Sequence, residues 1–95
     1  MKLPELSYFF ESYNFPSVRK IYPTNVELWR AFNQQDGDSV KQGILKEIER
    51  VMACKEAEQG QIMMYFNQVG YMGPIQFTAT EDMLTFLVEM KEQIS

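Results

Sequence analysis

A proline-started aromatic segment, LPELSYFFESYNF, runs through PSVRKIY into PTNVELWRAF, and no other feature constrains this chain as much. Tyr8, Phe9, Phe10, Tyr13, Phe15, Trp29 and Phe32 all fall within residues 1–32. Each such ring removes on the order of 150–250 Å² from water when buried, so the chain must close a core around this end. At 95 residues it makes a single domain, residues 1–95, and buries roughly 60–70% of the surface its unfolded form exposes. Its 45% hydrophobic content supplies that core and argues against disorder.

The apolar spacing is helical throughout. Pro4 suits a first helical turn, where its missing N–H is not needed. Leu3, Leu6, Phe10 and Tyr13 then share one face, and Pro16 stops the helix. Tyr8, Phe9 and Phe15 exceed what that face can bury and are expected to be partly exposed. Thr24 and Glu27 form a capping-box pair for a second helix, with Val26, Leu28, Trp29 and Phe32 inward. Asp36-Gly37-Asp38 breaks it, and Asp38 or Ser39 caps a third. There Val40, Ile44, Ile48 and Val51 make the core stripe, widened by Leu45 and Met52. Lys41, Lys46, Glu47, Glu49 and Arg50 form the solvated side.

A fourth helix is predicted from Glu56 to Val69, with Ile62, Phe66 and Val69 inward, Met63 and Met64 as gap-fillers, and Gly70 as a left-handed terminator. A turn at Tyr71-Met72-Gly73-Pro74 follows. Thr78 with Glu81, or Thr80, caps a last helix through Met83, Leu87, Met90 and Ile94. The segment Ile75-Gln76-Phe77 has a strand's composition but no visible partner. The expected fold is all-α, with about five helices of roughly ten to seventeen residues.

There is little here with which to do chemistry. The chain has no histidine and one cysteine, Cys54, whereas general bases and transition-metal sites usually draw on those residues. Asp36-Gly37-Asp38 lacks the roughly twelve-residue ligand spacing of a calcium loop, and no glycine-rich phosphate loop is present. We therefore read a binding protein, without cofactor or metal, rather than an enzyme. A net charge of −4 opposes nucleic acid and favours a basic protein partner. A lone cysteine, no apolar leader and no membrane-length apolar run predict a soluble, cytoplasmic protein.

Asp38-Ser39-Val40 resembles the Asp-Ser-Leu attachment site of acyl and peptidyl carrier proteins, where the serine holds a phosphopantetheine arm at a helix N-terminus. After those residues the likeness ends at Lys41-Gln42-Gly43. Simple capping by Asp38 and Ser39 is the plainer reading, and a small regulatory adaptor is a further alternative.

The order of landmarks carries a broader resemblance. LPELSYFFESYNF, a Pro-Thr start to a tryptophan helix, SVKQGILKEIERVMA and MMYFNQVGY together resemble the immunity proteins of bacterial contact-dependent growth inhibition systems. The resemblance spans about residues 3 to 90. It implies a cytoplasmic protein that binds and neutralises one cognate toxin domain, commonly a nuclease. It transfers no interface residue, since residues 14–20 read NFPSVRK where relatives carry an acidic, aromatic stretch.

Charge placement supplies the candidate toxin-binding residues instead. If successive helices run up and down, the turn before the third and the turn before the last lie at one end. That end gathers Asp36, Asp38, Glu81 and Asp82, which together equal the whole net charge of −4. A nuclease cleft must be electropositive to receive phosphate, so an acidic end is a suitable plug.

Overall fold

In the computed structural model, which describes residues 1–95, the chain is all-helical and no strand forms. The elements are α1 (Pro4–Ser12), α2 (Val18–Ile21), α3 (Asn25–Ala53), α4 (Glu56–Val69) and α5 (Thr80–Ile94). Two lengths depart from expectation. The expected second and third helices run together as α3, and the PSVRKIY connection, where no helix is predicted, holds the single turn α2. The predicted break is nevertheless present as a kink. Gly37 has φ 76° and ψ −174°, a backbone conformation that costs a residue with a Cβ far more than glycine.

Phe9 is not at the surface as expected but wholly buried, as is Phe10 beside it. α1 lies between α3 and α4, so two of its faces meet protein and a single-face count underestimates what it buries. Phe9 meets Phe32 edge-on at 5.2 Å and stacks on Tyr13 at 5.8 Å. Phe10 stacks on Phe66 at 4.5 Å. Phe86 of α5 closes the cluster against Trp29 at 5.0 Å. Edge-to-face and offset pairs of this kind add to the gain from area alone. Leu28, Trp29, Phe32, Ile44, Ile48, Val51, Phe66, Met83, Leu87, Met90 and Ile94 are buried as their spacing predicts.

Glu47 is the largest correction. Expected on the solvated side of its helix, it is only 5% exposed. Its carboxylate accepts from the Glu5 and Leu6 backbone N–H groups at 3.0 and 2.9 Å. A helix start leaves its first N–H groups without partners, and Leu3 offers α1 no side-chain cap. Glu47 therefore caps α1 from another helix. Met52, expected in the stripe, is exposed instead.

Capping elsewhere follows the sequence at only one site. Glu27 N–H donates to Thr24 Oγ1 at 3.2 Å, half of the predicted box. Neither Asp38 nor Ser39 caps the second half of α3 through a hydrogen bond. α5 is preceded by Ala79 with no side-chain cap, rather than by Thr78 or Thr80. Gly70 has φ −107°, so it is no left-handed terminator. It is glycine because a Cβ there would lie 2.6 Å from Asn14 Nδ2.

That contact belongs to the device that holds the α4–α5 connection. Asn14 Nδ2 donates to the Gly70 and Ile75 carbonyls, and Ile75 N–H donates back to Asn14 Oδ1 at 2.9 Å. Asn67 pairs with both backbone groups of Phe77 in the same way, at 2.8 and 2.9 Å. Two amide side chains thus stand in for a partner strand. With its polar groups met, the extended segment can bury Ile75 and Phe77.

Candidate functional site

The acidic residues singled out in the sequence fall into two settings. Asp36 ends the first part of α3 directly before the Gly37 kink and is half-buried. Tyr8 Oη donates to it at 2.7 Å, and Tyr13 Oη donates to its other oxygen, with Gln35 Oε1 3.0 Å from the same hydroxyl. Burial and the Asp36 carboxylate push the Tyr13 phenol well above its ordinary pKa, and the hydrogen bond to Asp36 raises Tyr8. Asp36 therefore joins α1 to α3 across the kink. Asp38 and Ser39, just beyond it, are exposed.

Glu81 and Asp82 are exposed in the first turn of α5, where carboxylates meet the positive end of the helix dipole. Asp82 borders a cleft of about 300 Å³ with Arg19, Asn25, Gln76, Phe86 and Glu89. Arg19 Nη1 is buried without a hydrogen-bond partner, while Nη2 donates to Asn25 Oδ1. No hydrogen bond, ion pair or cleft wall joins Asp36 and Asp38 to Glu81 and Asp82. Across the whole chain the only ion pair links Lys91 to Glu49, at 3.6 Å. Asp38, Glu81 and Asp82 thus stand in water without a basic partner. No group of three or more acidic or cysteine side chains is placed to hold a metal ion, and no helix is long and apolar enough to cross a membrane.

A second surface was missed. Met64 is 67% exposed and Tyr65 45%, while Tyr71 and Met72 in the following turn are 74% and 61% exposed. Met64 was expected to fill the core; only Met63 packs against it. Gln61, Met64, Tyr65 and Gln68 border an open groove of about 590 Å³ along α4. Tyr65 Oη accepts from Ser7 Oγ at 3.0 Å, which fixes its ring against α1. The sequence does carry a signal for this face: residues 59–80 contain no charged side chain. A helix side open to water normally carries charges, so an uncharged run with methionine and tyrosine at exposed steps makes this face a candidate contact surface.

No protein-family model, curated protein or solved structure matches the chain.

Proposed function

We propose that this protein is the immunity component of a contact-dependent growth inhibition pair, binding and neutralising one cognate toxin domain in the cytoplasm. The toxin is a basic domain, of the nuclease class. Its electropositive face meets acid in two settings, Asp36 with Asp38 at the Gly37 kink and Glu81 with Asp82 at the start of α5.

The observation that carries the reading is the set of exposed carboxylates without counter-charges. One ion pair forms in the whole chain, and Asp38, Glu81 and Asp82 have none. Unpaired surface acid speeds encounter with a basic partner and rejects acidic ones. The apolar landmarks of the resemblance share one interior. Phe9, Phe10, Trp29, Phe32, Ile44, Ile48 and Phe66 all lie in one core.

The test is protection in cells. The C-terminal domain of a large exported protein encoded directly upstream is expressed from a tight promoter, with and without this chain. Growth arrest that this chain relieves, together with co-purification of the two, is the expected result. An upstream toxin domain that arrests growth equally in both cultures rejects the reading.

A further inference from the structure

We infer that the uncharged face of α4 is a self-association surface, on which two copies of this chain pair antiparallel across a two-fold axis between Met64 and Tyr65. Any two copies carry a net charge of −4 each and repel through most approaches. The face built from residues 59–80 has no charge to bring together. A basic partner gains nothing there that the acidic surface does not offer better, whereas a second copy gains contact without like-charge cost.

The order of side chains along the face is self-complementary, as a two-fold contact requires. With the axis between Met64 and Tyr65, Gln61 of one copy lies opposite Gln68 of the other, and the reverse. Each amide carries both donors and acceptors, so the two glutamine pairs can close reciprocal hydrogen bonds. Met64 and Tyr65 meet Tyr65 and Met64 at the centre, where thioether and ring pack well. All of these side chains are exposed in the single chain.

The size of the contact sets its strength. The fourteen residues of α4 span ~21 Å, and with the following turn offer on the order of 400–500 Å² per copy. That is the small end of specific interfaces, so the dimer is weak and in exchange. This surface is separate from the acids assigned to the toxin, and its test stands apart from that of the immunity reading.

Sedimentation velocity from roughly 5 μM to 1 mM tests it, a range that brackets weak association. The apparent mass should climb from 11.2 kDa towards twice that value. Met64→Lys, which sets two like charges beside the axis, should remain monomeric at the top concentration with an unchanged helical spectrum. The double substitution Gln61→Glu with Gln68→Lys places opposite charges across the axis at both ends, and should tighten the dimer at least about threefold at low salt. A monomer at every concentration overturns the inference. So does a dimer that Met64→Lys leaves intact, or one that the double substitution fails to tighten.

Discussion

Asn14 shows how much of this fold rests on single polar side chains. Its amide meets the Gly70 carbonyl and both backbone groups of Ile75, in a site where it is itself buried. Removing it strands the buried N–H and carbonyl of Ile75, while the Gly70 carbonyl keeps its bond from Gln76 Nε2. Asn14→Ala should cost about 2–4 kcal/mol in urea unfolding, from lost hydrogen bonds and unmet groups together. Glu47 gives a second, signed prediction. Burial raises its pKa above the ordinary 4.5, and the two backbone N–H groups it accepts from oppose that rise without cancelling it. A raised folded pKa means that the folded state holds the proton more tightly. The group's stabilisation is therefore full below about pH 4.5 and is lost as pH climbs through the folded value. Glu47→Gln cannot titrate. The unfolding free energy of the native chain should thus fall relative to Glu47→Gln as pH rises from about 4.5, by urea melts at each pH.

At the level of elements, local chemistry was legible and tertiary contact was not. α4 spans Glu56–Val69 as predicted, because its apolar steps and flanking residues lie within the segment. The break at Gly37 was also readable from Asp-Gly-Asp, although the kink leaves one long element rather than two separate helices. Glu47 looked solvated because nothing near it in sequence reveals that the start of α1 packs across it. The same holds for Phe9, buried because Phe32 of α3 and Phe86 of α5 pack against it, and for the amides of Asn14 and Asn67. Of the binding surface, the acids were legible as charges but not as two settings, and the α4 face was overlooked. The second part of α3 carries one further prediction. Ser39 is exposed, but the pattern that follows it is not that of a carrier protein. Incubation with coenzyme A and a broad phosphopantetheinyl transferase should leave the intact mass unchanged; an adduct abolished by Ser39→Ala would make the chain a carrier.

Taken whole, the molecule measures 34 × 27 × 19 Å with a radius of gyration of 12.3 Å, close to the ~12.4 Å expected of a folded domain of this length. Its interior is devoted to aromatic packing, and all its acids but Glu5, Asp36 and Glu47 are exposed. The account therefore turns on those acids receiving a basic toxin. The direct measurement is the association rate of the purified chain with the adjacent toxin domain, followed at several salt concentrations. Asp38, Glu81 and Asp82 make no side-chain hydrogen bond or ion pair, so reversing them to lysine together costs α5 its dipole match but removes no buried contact, and a helical spectrum checks that the variant is folded. The native chain should associate rapidly at low salt and more slowly as salt screens the attraction. The triple reversal should slow association by at least about tenfold at low salt and flatten the salt dependence. Equal rates and equal salt slopes for the native and reversed proteins would contradict the account.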